Sequence, residues 1–214
     1  MKRTALFFLA CFIFPTSLVR GSQDIIPLGT GVGMMGGYAT YADQNHGGSV
    51  AFGLSFILGL SRNFAIEIAG TRSESNISGS TMGLAPGKFT TIPIQLNVQF
   101  RFPTSARLVP FISIGGGYYI NTYKIAPNVV FSGGNVGYPF IENVRNSIGG
   151  QIGGGIDFFA NAKIALGARI CYSISNAKGA WSYTGPTGIV TSGTIDKIKL
   201  NYLFLGINVR YVFR

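Results

Sequence analysis

Charge, histidine, cysteine and long apolar runs are all scarce in this chain. Asp, Glu, Lys and Arg together make up 11% of the sequence, against 47% hydrophobic residues. A soluble globular domain carries about a quarter charged residues, so much of this surface is not built to face water. One histidine and two cysteines cannot assemble a metal-ligand cluster, and no cofactor is expected. Downstream of the N-terminus no apolar stretch reaches the roughly 20 residues a helix needs to cross a bilayer, which argues against an inner-membrane helical protein. Cys11 lies near the N-terminus and Cys171 in a strand pattern. If the former is cleaved off, one thiol remains and no internal disulfide can form. Cys171 then reads as a small buried filler, with pairing between chains as the alternative.

What is present begins with a leader. Lys2 and Arg3 precede an apolar run from Ala5 to Phe14, then Pro15 and the small residues Gly21 and Ser22. That is the layout of a secretory signal peptide over residues 1–21. The sequence Val19-Arg20-Gly21 leaves the cleavage point open, and a lipoprotein reading would instead use Cys11. Residues 22–214 are one domain by length.

The stretch from Thr91 to Phe102 alternates strictly. Ile92, Ile94, Leu96, Val98, Phe100 and Phe102 share one face; Pro93, Gln95, Asn97, Gln99 and Arg101 share the other. Side chains of a strand point alternately to opposite sides, so this run builds one greasy wall and one polar wall. The pattern recurs in about eight segments: 26–35, 49–60, from Phe64, 91–102, 111–123, 147–159, 164–175 and 197–213. No second apolar face is left for the greasy one to pack against, as a soluble sandwich would need. The fold expected is therefore all-β: an eight-stranded antiparallel transmembrane β-barrel with short periplasmic turns and long extracellular loops. The connections 61–63, 103–110 and 160–163 are short, whereas 36–48, 73–88, 124–146 and 176–196 are long. Phe64, Phe100, Phe102, Phe111, Phe158, Tyr211 and Phe213 cluster at the short-turn end; Tyr118, Tyr123 and Tyr172 lie toward the other. Two aromatic belts are what membrane interfaces favour.

In order and spacing, most of the chain after the leader resembles the OmpW family of outer-membrane proteins. The segments that carry the resemblance are Ser61 to Thr71, the strand from Ile92-Pro93 to Phe102, Val109 to Tyr118, and Gly149 to Phe159. Two positions depart from the family's pattern. A histidine is usual shortly after strand three, where this chain has Thr71-Arg72-Ser73-Glu74, and the family ends in Phe where Arg214 follows Phe213. The resemblance implies a monomeric eight-stranded barrel with a narrow, largely apolar internal channel that passes or binds small hydrophobic molecules. Gly206, Val209, Tyr211 and Phe213, in the alternating aromatic ending, look like the signal read by the barrel assembly machinery. They equally suit a last strand with an aromatic girdle.

The inward positions hold five ionisable residues: Glu67, Arg101, Asp157, Arg169 and Arg210. All fall near the periplasmic ends of their strands, and charges of both signs in a narrow interior favour pairing. They are expected to form a salt-bridged network there, as a plug or as plain structure. The outer half, rich in Gly, Ser, Thr, Gln and Asn, is expected to leave room, although eight strands enclose a space that side chains can just fill. Among loop residues, Phe131, Phe140, Trp181 and Tyr183 suggest either a hydrophobic mouth for a greasy ligand or packing between loops.

Without Lys2, Arg3 and Arg20 the net charge falls from +10 to about +7. Arg72, Lys88, Lys124, Arg145, Lys178, Lys197 and Lys199 flank the extracellular loops, where lipopolysaccharide presents phosphates. Generic solvated charge is the alternative; a nucleic-acid partner is removed by the outer-membrane location. Two catalytic patterns are discounted. Gly31-Val32-Gly33-Met34-Met35-Gly36 matches a dinucleotide fingerprint but has no helix after it. Asp43, His46 and Ser49 include the only histidine, in a turn-like setting, so no enzyme is expected. Two functions remain: a channel or binding protein for small hydrophobic compounds, or an adhesin-like surface barrel with an inert lumen.

Overall fold

The computed structural model describes residues 29–42, 47–77, 86–104, 107–125, 140–184 and 190–213, with the side chains of residues 140–142, 183–184 and 191 left aside. Ten strands follow one another: β1 (Thr30–Tyr41), β2 (Ser49–Gly59), β3 (Phe64–Ile77), β4 (Gly87–Arg101), β5 (Leu108–Ile125), β6 (Phe140–Val144), β7 (Ser147–Phe159), β8 (Ile164–Thr184), β9 (Val190–Lys199) and β10 (Tyr202–Val212). Eight of them pair antiparallel in the order β1-β2-β3-β4-β5-β7-β8-β10, and β10 returns to β1 to close the cylinder. Closure leaves no free edge in the hydrocarbon, where an unpaired backbone group would cost several kcal/mol. Among the described residues no helix is long and apolar enough to cross a membrane.

Alternation sorts the two faces as the sequence predicts. Ile94, Leu96, Val98 and Phe100 are exposed on the outside of β4, while Gln95, Asn97, Gln99 and Arg101 are buried inside. The outward set continues around the wall with Met34, Phe52, Leu54, Ile68, Ile114, Ile152, Ile174, Leu205 and Ile207. From Ile92 to Phe102, at about 3.4 Å per residue and a tilt near 40°, the apolar band rises about 25 Å, the thickness of an outer-membrane core. Above it on the outer face stand Arg72, Glu74, Lys88 and Thr90. Glu74 is paired there with Lys88 and Arg72, and the hydrogen bond from Lys88 holds its carboxyl below the usual carboxylate range.

The short turns are fixed locally. The Ser61 hydroxyl accepts the N–H groups of Asn63 and Phe64, and the Asn161 side-chain Oδ1 accepts those of Lys163 and Ile164, turn chemistry proper to Ser and Asn. Strand bounds differ from the sequence reading mainly at the extracellular end. β1 runs on through Gly36–Tyr41, β3 reaches Ile77, and β8 extends to Thr184. Within the segment 176–196, residues 176–184 and 190–196 therefore belong to the paired strands β8 and β9, with Trp181 opposite Gly193. β6 lies on the other side of β8, so a small three-stranded sheet projects beyond the barrel. The eighth predicted strand is divided at Leu200–Asn201 into β9 and β10. Ile26 and Leu28 lie outside the described residues.

Two aromatic assignments change. Phe111 and Tyr123 are buried inside the barrel, not placed in the interfacial belts. Their parity is opposite to that of Ile112 and Ile114, so the strand pleat sends them inward. The outward belts consist of Phe64, Phe100, Phe102, Phe158, Tyr211 and Phe213 below, with Tyr38, Tyr118 and Tyr172 above.

Candidate functional site

The lumen is the concave feature the fold creates, and it is filled in layers. At its extracellular end Ile77, Phe89, Tyr123, Val144, Ala177, Ile198 and Leu200 pack into an apolar cluster. Beneath it a hydroxyl-amide chain runs along four neighbouring strands, β4, β5, β7 and β8. The Thr91 hydroxyl donates to Asn121 Oδ1 (3.0 Å), Asn121 Nδ2 donates to Ser147 Oγ (3.3 Å), and Ser147 meets Ser175 at 2.7 Å. A second cluster combines Tyr41, Tyr119, Cys171, Tyr202 and Phe204 with small alanines. Two of its phenols are tied down: Gln95 Nε2 donates to Tyr119 Oη (3.0 Å), and Tyr41 meets Ser73 Oγ at 3.1 Å.

The predicted charged residues come next. Glu67 accepts two hydrogen bonds from Arg169, at 2.9 and 3.3 Å, and one from Gln99 Nε2 at 3.0 Å. Arg169 also lies over the Phe111 ring, 5.8 Å from its centroid. Arg210 Nη1 donates to Asp157 Oδ2 at 2.9 Å. Both pairs are buried, with the carboxylate side chains at 1% and 0% exposure. Space for the second pair comes from Gly167, where a Cβ would stand 2.5 Å from both Asp157 Oδ1 and Asn208 Oδ1. Arg101 is buried in the same layer, and Asn63 Nδ2 donates to its carbonyl oxygen (3.0 Å), fixing the end of β4. It makes no ion pair among the described residues. Val109, Phe159, Ala165 and Val212 form a small apolar cluster at the strand ends.

An open, water-filled lumen would leave the inward side chains accessible. Instead Phe89, Tyr119, Phe111, Asn97, Gln99 and Arg210 are each at 2% exposure or below. The cavity between the aromatic cluster and the charged layer, bounded by Met35, Ala51, Gln95, Gln151, Arg169 and Tyr202, measures about 20 Å³. That is room for about one water molecule, so the described side chains fill this stretch of the lumen. The expectation that the outer half leaves room is thus corrected. Tyrosine and phenylalanine at inward positions, overlooked beside their outward neighbours, occupy it. Tyr119 next to Tyr118 is the clearest case, and counting parity along β5 would have found it.

The mouth residues are placed unevenly. Trp181 is half-buried in β8, and its indole occupies space that a side chain at Gly193 would take. With Asn143, Ala180, Ser192 and Thr194 it lines an open groove of about 480 Å³, mixed rather than purely apolar. Phe140 and Tyr183 are backbone partners across β6 and β8, and their side chains lie outside the described residues. Phe131 does too, as do Asp43 and His46 of the discounted catalytic pattern. Ser49 is buried within β2. The terminal residues Val209, Tyr211 and Phe213 point outward from β10, with Tyr211 and Phe213 rings edge to face at 5.3 Å, and Gly206 gives way to the Phe204 ring. Cys171 is buried and unpaired.

No family model matches the sequence, and no curated protein matches it. Solved structures do. The outer membrane protein OprG of Pseudomonas aeruginosa superposes with a TM-score of 0.65 at 17% identity, covering 88% of this chain and 98% of that one. The outer membrane protein AlkL, solved in lipid bilayers, gives 0.55 at 14% identity over 92% and 96% of the two chains. Neisserial surface protein A gives 0.55 at 12% identity over 86% and 96%. Identities this low establish a shared fold, that of the eight-stranded outer-membrane barrel. The chain is a barrel of the cell outer membrane.

Proposed function

We propose that this barrel is an OmpW-type protein that receives small hydrophobic molecules at the extracellular end of its lumen. The observation that carries the reading is the chemistry of that end. Ile77, Phe89, Val144, Ile198 and Leu200 form an apolar surface inside the mouth, where a water-filled pore would present polar groups. A greasy solute gains about 25 cal/mol per Å² of surface it buries there. Below, the tyrosines and the two buried ion pairs deny ions a path, so the lumen accepts a solute without leaking. Admitting one requires the apolar cluster to part.

The chain's single tryptophan reports on this mouth. Trp181 emission is measured in lipid nanodiscs while naphthalene is added, with Trp181→Phe as blank and Ile198→Asp as the variant that spoils the apolar surface. Saturable quenching in the parent, lost in Ile198→Asp, is expected. Linear quenching identical in both, the mark of partition into lipid alone, sinks the reading.

The β6–β8–β9 sheet beyond the membrane favours a second reading, an adhesin-like surface barrel, since its groove offers Asn143, Trp181, Ser192 and Thr194 to the outside. We also infer that lipopolysaccharide phosphates sit against the outward basic residues. Lys88 and Lys124 are direct cross-strand partners; Glu74 offsets the charge of Lys88, and Lys124 adds a further exposed cation on the same outward face.

A further inference from the structure

On the side where β6, β8 and β9 rise above the barrel, three chemistries are stacked along the outward face. Lowest is the apolar band, which ends there in the exposed Ile148 and Ile174. Above it come cations. The N–H of Arg145, the residue after β6, donates to the carbonyl oxygen of Lys178 at 2.8 Å. The Arg145 carbonyl oxygen accepts Asn121 Nδ2 at 3.1 Å, so its backbone is held from both sides. Beyond Lys178 the ladder to β9 carries a bulge: Ala177 pairs with Ile198 and Gly179 with Ile195, which sets Lys178 against both Asp196 and Lys197. Lys199 stands opposite Asn176 in the row below. Val144, Ala177 and Ile198 are buried inside, whereas Arg145, Lys178, Lys197 and Lys199 are exposed, so the pleat turns these cations outward. With strands about 4.8 Å apart, Arg145, Lys178 and Lys197 span about 10 Å. None of the ion pairs among the described residues involves them or Asp196.

Highest is the groove. Asn143, Ala180 and Thr194 are in register across the three strands, in the outward row next above the cations, with Ser182 opposite Ser192 beyond them. Ala180 is the short side chain in the middle, so the row is a trough flanked by an amide and a hydroxyl, and the open groove there measures about 480 Å³. Acyl chain, phosphate and sugar follow one another in this order along lipopolysaccharide, the glycolipid of the outer leaflet. We propose that this side of the barrel holds one lipopolysaccharide molecule. Its acyl chains lie on Ile148 and Ile174, its phosphates between Arg145, Lys178 and Lys197, and its first core sugars in the Asn143–Ala180–Thr194 trough. Arginine and lysine supply the charge-assisted hydrogen bonds that phosphate takes. The site rests on the lipopolysaccharide reading given above and narrows it to one place; it is independent of any solute in the lumen.

The test titrates the folded full-length barrel, in a non-ionic detergent, with rough lipopolysaccharide and counts bound glycolipid by native mass spectrometry. One molecule per barrel is expected, held about tenfold more tightly than the same glycolipid after phosphatase treatment. Lys178→Glu with Lys197→Glu should weaken binding by a similar factor; should that pair not fold, Lys178→Gln with Lys197→Gln takes its place. Ala180→Trp, which fills the trough, should weaken rough lipopolysaccharide and leave lipid A without core sugars unaffected. No binding to the parent overturns this site and the wider lipopolysaccharide reading together. Binding that Lys124→Glu abolishes and the folded double lysine variant fully retains overturns the site alone. So does an Ala180→Trp variant that binds both glycolipids as the parent does.

Discussion

Replacing Glu67 by glutamine keeps the side chain's shape and removes its charge, in a place where the charge has no substitute. Arg169 would keep one amide oxygen as acceptor and lose its counter-ion, with its own side chain at 5% exposure. Breaking a buried pair by removing one partner costs about 3–5 kcal/mol. For a chain of this size each kcal/mol moves the unfolding midpoint by about 2–4 °C, so a drop of about 6–20 °C is expected. The folded barrel migrates faster than the unfolded chain on a cold detergent gel, so the fraction folded after heating gives the midpoint directly. A double variant, Glu67→Met with Arg169→Met, removes both charges at similar volume. It should recover to within about 2 kcal/mol of the parent, because an apolar pair needs no desolvation of charge. Glu67→Gln unfolding at the parent's temperature would refute the reasoning, as would a double variant no better than the sum of its singles. The first result would mean that water solvates this layer; the second, that the two side chains act independently.

Other consequences are open to measurement. Gly167→Ala should destabilise the barrel by about 1–3 kcal/mol, because the new methyl group collides with Asp157 and Asn208; equal loss in Asp157→Asn, without further loss in the combined variant, would place both effects in the same contact. A spin label at Leu96 should be relaxed by oxygen and shielded from a water-soluble nickel chelate, whereas Leu96→Arg at mid-membrane should cost about 2–4 kcal/mol; a label there that meets the chelate freely would contradict the membrane orientation. Cys171, buried in the aromatic cluster, should resist a maleimide polymer until the barrel unfolds, so labelling on the folded protein at the rate of a free thiol counts against the packed lumen. Lys124→Glu should weaken retention of lipopolysaccharide during purification and leave the unfolding midpoint in pure detergent nearly unchanged; unaltered retention removes this lysine as a phosphate contact.

By itself the sequence determined the wall. A side-chain period of two, held across β2, β4, β7 and β10, forces every second residue to the same face, and the residues on one face are too apolar for water. The number of crossings, the direction of the turns and the inward placement of Glu67, Arg101, Asp157, Arg169 and Arg210 all follow from that periodicity. What only the tertiary structure decided is which inward groups meet, because partners far apart in the chain are brought together by barrel closure and strand stagger. Glu67 finds Arg169 from the opposite side of the barrel, four strands away in either direction, and not Arg101 on the adjacent strand, and Tyr41 and Tyr119 fill the middle of the lumen together with Tyr202. The same holds at the mouth, where residues read as loop become strands since β8 offers both of its edges above the membrane. Alternation is a local property of the backbone, whereas occupancy of an enclosed volume depends on all eight strands at once.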